Sequence, residues 1–107
     1  MGKTVISFDG RFEWDEEKSN TNKAIHGLFF EEVLPAFDDP YLLELYDETH
    51  STLNETRFRG LAELQDLIIL YLSYTEPASG RTRIISVRPA EPTEEKMYYE
   101  WRKNFIP

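Results

Sequence analysis

The fold of this chain is decided by one stretch of nine residues, Arg81-Thr82-Arg83-Ile84-Ile85-Ser86-Val87-Arg88-Pro89. Its middle is rich in β-branched side chains, which favour strands because they pack well on a pleated surface. Apolar residues occupy both sides of the alternation, so we expect a central strand that is covered on both faces. Charged arginines are costly to bury unless they are paired. The arginines of this strand must therefore form internal ion pairs or face an anion at the edge of the sheet.

Length and composition predict one packed domain. The 107 residues are enough for a single hydrophobic core, and 40% of them are hydrophobic. The chain contains no cysteine, which excludes disulfides and thiolate chemistry. No apolar run approaches the ~18 residues that a membrane helix needs, and no signal-like core follows the N-terminus. We therefore expect residues 1–107 to form one cytoplasmic domain without a membrane segment.

The charge is unevenly distributed along the chain. Residues 1–53 contain 4 Lys and Arg against 12 Asp and Glu, a net charge of −8, whereas residues 54–107 contain 8 of each, a net charge of 0. The acidic half repels nucleic acid and suits a basic partner, while the arginines of the second half can still form a local positive site. This balance argues against generic nucleic-acid binding, which depends on counterion release.

The N-terminal part of the chain predicts a hairpin followed by a helix. Residues 5–8 have the composition of a short strand, and an extended path resumes at residues 12–14 after a turn. Asp15 can cap the N-terminus of a helix that runs to His26. Gly27 suits the left-handed position that ends such a helix.

The rest of the chain predicts a sheet between helical segments. A short helix is expected at residues 30–37, where Pro35 should kink it or convert it to 3₁₀ geometry. Four strands follow, at residues 41–46, 55–61, 67–74 and 81–89. Thr93 is expected to cap a final helix. The chain therefore predicts an α+β domain, in which a small antiparallel meander packs with two N-terminal helices and one C-terminal helix.

A collinear set of short motifs runs from residue 12 to about residue 100. The set comprises Phe12-Glu13-Trp14-Asp15, Lys18, Asn22, His26-Gly27, Phe30-Glu31-Glu32, Phe37-Asp38-Asp39-Pro40, Asp47, His50-Ser51, Glu55, Arg57, Arg83-Ile84-Ile85-Ser86, Arg88, Ala90, Glu94 and Tyr98. In this order and at these spacings the chain resembles the BrnT family of small toxins. The resemblance implies a RelE-like fold and cleavage of RNA without a metal or other cofactor. It also implies a BrnA-like ribbon-helix-helix antitoxin from the adjacent gene, so that DNA is reached only through the antitoxin.

The candidate site residues follow from this resemblance and from the chemistry of RNA cleavage. Metal-free cleavage needs a base for the 2′-hydroxyl, an acid for the leaving 5′-oxygen, and cations for the developing charge. Arg57 and Arg83 match family positions and carry planar forks that fit phosphate oxygens. His50 can transfer protons near neutral pH, so these three are the catalytic candidates. The candidates for binding the RNA substrate are Arg59, Arg81 and Arg88.

These candidates have structural alternatives. A cross-strand ion pair with Glu55 or Glu94 can occupy an arginine, and a loop histidine can merely bond the backbone. In a regular strand Arg83 and Arg88 point to opposite faces, about 16 Å apart at 3.3 Å per residue. They share one site only if the strand bends or bulges near Pro89.

Two functions remain open at this point. The leading one is an endoribonuclease toxin that inhibits translation and growth. The alternative is a non-catalytic interaction module on the same fold, with its arginines locked in internal ion pairs. Positions at which the family usually carries basic residues hold Ile25, Pro89 and Glu95 here, which favours the alternative. An antitoxin-sized reading frame that adjoins this one would favour the toxin.

Overall fold

The computed structural model describes residues 2–65, 67–77 and 79–106, and within them a six-stranded sheet packs with three helical segments. The strands are β1 (Thr4–Ile6), β2 (Phe12–Asp15), β3 (Leu43–Tyr46), β4 (Arg57–Glu63), β5 (Ile69–Thr75) and β6 (Thr82–Pro89). The helices are α1 (Glu16–His26), a 3₁₀ helix (Phe30–Asp38) and α2 (Pro92–Arg102). The predicted α+β class is confirmed. No helix in the described part of the chain is long and apolar enough to cross a membrane.

The strand order β1-β2-β6-β5-β4-β3 places β6 and β5 at the centre of the sheet, as the sequence predicts. Strands β3 to β6 form an antiparallel meander. The β1–β2 hairpin joins the free edge of β6, where β2 runs parallel to β6 with Trp14 opposite Ile84. The sheet is therefore mixed rather than wholly antiparallel. The chain between β2 and β6 passes through most of the fold, so no local turn determines their relative direction.

Local signals place the helices close to where they are predicted. The carboxylate of Asp15 accepts a hydrogen bond from the N–H of Lys18 at 3.0 Å and caps α1. Gly27 ends this helix with a φ of 80°, and its N–H donates to the carbonyl of Lys23 at 2.9 Å. The segment that contains Pro35 is a 3₁₀ helix throughout. Capping and proline geometry are local, which is why these positions follow from the sequence alone.

The N-terminus of α2 differs from the prediction. The helix starts at Pro92, not after a cap at Thr93. Proline fits the first helical position because it has no N–H to satisfy and its φ is already helical. The carboxylate of Glu94 accepts from the N–H of Glu91 at 2.8 Å and so satisfies a donor that precedes the helix.

The main core lies on one face of the sheet, beneath α1 and the 3₁₀ helix. Its buried residues are Phe12, Trp14, Phe30, Val33, Ala36, Ala62, Leu70, Leu72, Tyr74, Ile84 and Val87. On the opposite face α2 covers one end of the sheet, where Tyr98 packs with Leu61 and Ile69. Charged and polar side chains occupy much of the rest of that face, together with Leu45 and Tyr71.

A bulge at Ile85 changes what β6 presents to each face. The register of β6 against β5 shifts at this residue, so the alternation of side chains is interrupted once. Ile84 and Val87 consequently point to the same face, where both are buried in the main core. Arg83 and Arg88 share the opposite face. The strand is therefore apolar on one face only, and the expectation that it is covered on both is wrong.

Asn22 of α1 continues the pairing of β6 beyond the end of β2. Its side-chain oxygen accepts from the N–H of Val87 at 3.1 Å, and its amide donates to the carbonyl of Leu28 at 2.9 Å. Asn22→Ala should lower the free energy of unfolding by about 1–3 kcal/mol, because the buried N–H of Val87 loses its partner. Asn20→Ala, on the exposed side of the same helix, should cost at most about 0.5 kcal/mol. Urea unfolding measures both, and equal stability of the two variants would contradict this role.

Candidate functional site

Four arginines share the sheet face that the main core leaves open, and we call this surface the arginine face (Arg57, Arg59, Arg83 and Arg88). Arg57 and Arg59 alternate along β4, while the bulge brings Arg83 and Arg88 of β6 to the same side. Arg57 and Arg83 flank the same residue of the intervening strand, Thr75. Neighbouring strands lie about 4.8 Å apart, which puts these two backbones about 10 Å apart. The face can therefore meet more than one phosphate of an RNA strand.

Carboxylates form ion pairs with three of these four arginines. The observed pairs are Arg83–Glu13 (2.6 Å), Arg88–Glu94 (2.8 and 2.9 Å) and Arg57–Glu55 (3.6 Å). The ion-pair alternative foreseen for these arginines is thus present, although the partner of Arg83 is Glu13 and not Glu55 or Glu94. The hydrogen bonds from Arg88 hold the pKa of Glu94 below its usual range.

Glu13 is the most enclosed of the three carboxylates, with a side chain 12% exposed. Burial alone would raise the pKa of Glu13, but hydrogen bonds from Arg83 and from the hydroxyl of Ser79 outweigh it and keep that pKa below its usual range. The positive charge of Arg81 acts in the same direction. Arg81 itself lies just before β6, and its buried Nε has no hydrogen-bond partner among the described residues.

A cleft of about 340 Å³ opens between the loop after β3 and the arginine face. Its lining residues are Tyr46, Asp47, Glu48, Thr49, His50, Arg59 and Tyr71. The cleft brings His50, predicted in a polar loop, together with Arg59, predicted only to bind substrate. The other predicted arginines, Arg57, Arg81, Arg83 and Arg88, do not line it.

Asp47 holds the ring of His50 in the cleft. Its Oδ2 lies 2.8 Å from Nδ1 of His50, and its Oδ1 accepts from the backbone N–H of His50 at 3.2 Å. The carboxylate is 8% exposed and the imidazole 63% exposed. A donor at Nδ1 leaves Nε2 as the nitrogen available to a substrate. Burial would raise the pKa of Asp47, but the hydrogen bonds from His50 and the charge of Arg59 outweigh it and hold that pKa below its usual range.

Ser51 fastens this loop to the sheet. Its hydroxyl donates to the carbonyl of Asp47 at 2.7 Å and accepts from the N–H of Arg57 at 2.9 Å. The N–H of Asp47 in turn donates to the carbonyl of Arg57 at 2.9 Å. The loop that carries His50 therefore has a defined position relative to β4.

Arg59 carries the one charge of the arginine face that no described carboxylate meets at ion-pair distance. Its buried Nε has no hydrogen-bond partner among the described residues. Tyr71 lines the cleft together with Arg59, and the guanidinium of Arg88 sits 4.1 Å from the centre of its ring. An unpaired guanidinium beside a histidine can bind a phosphate without first losing a carboxylate.

Of the lining residues only His50 and Arg59 were predicted as site residues, and two of the others, Asp47 and Tyr71, contact the predicted ones. The Asp47-x-x-His50 spacing was an available signal for a carboxylate that orients a histidine. Tyr71 offered none, because it lies within the most apolar run of the chain and resembles a core residue in the sequence. Only the register of β5 against β4 and β6 directs its side chain to the arginine face.

Comparison with known proteins identifies proteins to which this chain is similar. The family model of the ribonuclease toxin BrnT of type II toxin–antitoxin systems matches residues 14–94. The crystal structure of the ribonuclease toxin BrnT from Brucella abortus is similar, with a TM-score of 0.55 and 28% sequence identity over 73% of this chain and 92% of that chain. No curated protein matches the chain. The matched range includes His50, Arg59 and Tyr71.

Proposed function

The chain belongs to the BrnT family of ribonuclease toxins of type II toxin–antitoxin systems, and we propose that it is a metal-independent endoribonuclease with its site in the cleft between His50 and Arg59. The cleft carries this proposal, because it joins an oriented histidine to an unpaired arginine. Cutting RNA in the cytoplasm would inhibit translation and growth. The proposed partner is a BrnA-like ribbon-helix-helix antitoxin, and the toxin contacts DNA only through it. Residues 1–107 act as one domain.

Proton transfer is the role of His50. Nε2 takes the proton of a ribose 2′-hydroxyl, and the 2′-oxygen then attacks the adjacent phosphorus. The bond from phosphorus to the 5′-oxygen breaks, which gives a 2′,3′-cyclic phosphate and a 5′-hydroxyl. The 5′-oxygen receives its proton from a donor in the cleft, for which the hydroxyl of Tyr71 is a candidate. Asp47 keeps the imidazole in the orientation that exposes Nε2.

Charge stabilisation is the role of Arg59, whose guanidinium meets the additional negative charge of the pentacoordinate phosphorane. Arg57, Arg83 and Arg88 bind neighbouring phosphates along the arginine face, with Arg81 at its edge. Each paired arginine must exchange its carboxylate for a phosphate as RNA binds. Those exchanges weaken affinity, while Arg59 needs none.

Arg59→Ala should lower kcat/KM for RNA cleavage about 100-fold, the usual loss when one donor to a developing charge is removed. Arg11→Ala is the matched control, because Arg11 is an exposed arginine paired with Asp38 and lies outside the cleft. It removes the same charge and should leave cleavage unchanged. Cleavage of end-labelled single-stranded RNA in EDTA measures both. An equal loss in both variants would mean that only the net charge matters.

A second candidate function is the non-catalytic interaction module on the same fold. The observed ion pairs of Arg57, Arg83 and Arg88 favour it, since paired arginines are not available to RNA. The two functions predict different RNA affinities when one arginine is released from its ion pair. A toxin gains RNA affinity when a competing carboxylate is neutralised, whereas a module whose arginines serve stability does not.

Glu13→Gln should therefore tighten RNA binding about fivefold, because an ion pair of partly exposed groups is worth at most about 1 kcal/mol. Glu100→Gln removes the same charge from an exposed position on α2 and serves as the control. Fluorescence anisotropy with labelled single-stranded RNA, in a His50→Ala background that does not cut it, measures the affinity. No difference between the two variants would favour the module.

A further inference from the structure

A second hollow surface lies between β1 and the 3₁₀ helix. Two adjoining hollows of about 260 and 410 Å³ share Val5, Trp14 and Glu31, and we call them together the β1 groove. Val5 and Trp14 form its floor. The apolar walls are Ile6, Phe8, Phe29 and Leu34. The groove belongs to the face of the main core, since Trp14 lies in that core, whereas the catalytic cleft opens on the arginine face.

Exposed apolar side chains border the β1 groove. Phe8 is fully exposed, and Phe29 is 38% exposed. Strand β1 is the last strand at this end of the sheet, so one of its edges pairs with no described strand. Exposed apolar side chains beside an open strand edge mark a docking surface, because both gain from being covered.

The charge of the groove is wholly negative. Its charged lining residues are Asp9, Glu16, Glu31 and Glu32, and no described lysine or arginine lines it. Asp9 and Glu32 have basic neighbours at ion-pair distance, whereas Glu31, which lines both hollows, has none among the described residues. Part of the excess of acidic residues in residues 1–53 thus lines the β1 groove around its apolar floor. A partner with basic side chains complements this surface.

We infer that the β1 groove docks the antitoxin through an extended segment that carries both apolar and basic residues. This inference rests on the membership of the chain in a toxin–antitoxin family. An extended segment can pair with the open edge of β1, and every second side chain of it then faces the groove, where apolar ones meet the apolar lining and a basic one meets Glu31. Because the groove and the cleft lie on opposite faces, docking here anchors the antitoxin without blocking the cleft. A different contact must inhibit cleavage.

Intrinsic fluorescence can report on the groove directly. The chain has two tryptophans, so Trp101→Phe leaves Trp14 in the groove floor as the only one. Two short synthetic peptides serve as probes, one with the repeat Leu-Leu-Lys-Lys and one with the repeat Leu-Leu-Glu-Glu, so that each face of an extended strand carries both apolar and charged side chains. We expect the basic peptide to bind and change the emission of Trp14, and the acidic peptide not to bind.

Charge reversal in the groove locates this binding. Glu31→Lys should weaken binding of the basic peptide at least about tenfold, with a salt dependence that shows its electrostatic origin. Glu100→Lys makes the same charge change on α2 and should leave the affinity unchanged. Failure of the basic peptide to bind, or equal affinity for the two variants, would overturn the assignment. So would an adjacent antitoxin gene whose product has no segment that combines apolar and basic residues.

RNA cleavage by the same variants separates this inference from the proposed activity. Glu31→Lys should cut RNA as fast as the unmodified protein, since the groove and the cleft are on opposite faces. Loss of cleavage in this variant would overturn that separation. An unmodified protein that binds the basic peptide in the groove but does not cut RNA would overturn the nuclease and leave the docking site standing.

Discussion

Replacement of His50 with alanine should slow RNA cleavage by about 10²–10⁴-fold, the contribution of a positioned acid or base. The imidazole is held by Asp47 at 2.8 Å and shares its cleft with Arg59. Removing the ring abolishes proton transfer but leaves Arg59 in place, so RNA binding should persist while the chemical step slows. Single-turnover cleavage of end-labelled single-stranded RNA in EDTA isolates that step.

His26→Ala is the matched control for this experiment. His26 is the other histidine of the chain, and it ends α1 outside the cleft. Its replacement should leave the rate unchanged. If His50→Ala cuts RNA as fast as His26→Ala, the activity belongs to another site or to a contaminant. If neither the unmodified protein nor either variant cuts RNA, the interaction module becomes the better-supported function.

Replacement of Asp39 with alanine should lower the free energy of unfolding by about 3–5 kcal/mol, because it removes a charged acceptor from several donors at once. Its Oδ1 accepts from the N–H of Tyr41 at 2.9 Å. Its Oδ2 accepts from the N–H of Glu63 at 2.8 Å and from the hydroxyl of the fully buried Tyr98 at 2.6 Å. Asp39 thus joins the end of the 3₁₀ helix to β4 and α2.

The neighbouring aspartate supplies the control. Asp38 is 61% exposed and pairs with Arg11 at the surface, so Asp38→Ala should cost less than about 1 kcal/mol. Thermal unfolding should separate the two variants clearly, at roughly 4 °C of melting temperature per kcal/mol. Burial and the bond to Asp39 raise the pKa of Tyr98, which therefore stays a neutral donor at ordinary pH. Equal melting temperatures would show that Asp39 does not join these elements.

The candidate site could be predicted from the sequence only in part. Alternation along β4 correctly put Arg57 and Arg59 on one face, and composition correctly put His50 in a loop after β3. The sequence favoured Arg57 over Arg59 as the catalytic arginine, because Arg57 matches a family position. The cleft favours Arg59 instead, since Arg57 lies 3.6 Å from Glu55 whereas Arg59 faces His50.

What the sequence by itself determined is local. Asp15 caps α1, Gly27 ends it, and Pro35 imposes 3₁₀ geometry, each through bonds or dihedral angles within a few residues. The β-branched run around Ile84 likewise determined a central strand, because its side chains need cover that only neighbouring strands and helices supply.

Only the tertiary structure decided which arginines are available. Arg83 pairs with Glu13 across 70 residues of sequence, and the parallel pairing of β2 with β6 makes that contact. The bulge at Ile85 turns Arg88 to the same face as Arg83, although regular alternation separates them. Strand direction, register and ion pairing depend on contacts between distant segments, and neither composition nor spacing encodes them. The proximity of Arg59 to His50 therefore follows only from the tertiary structure.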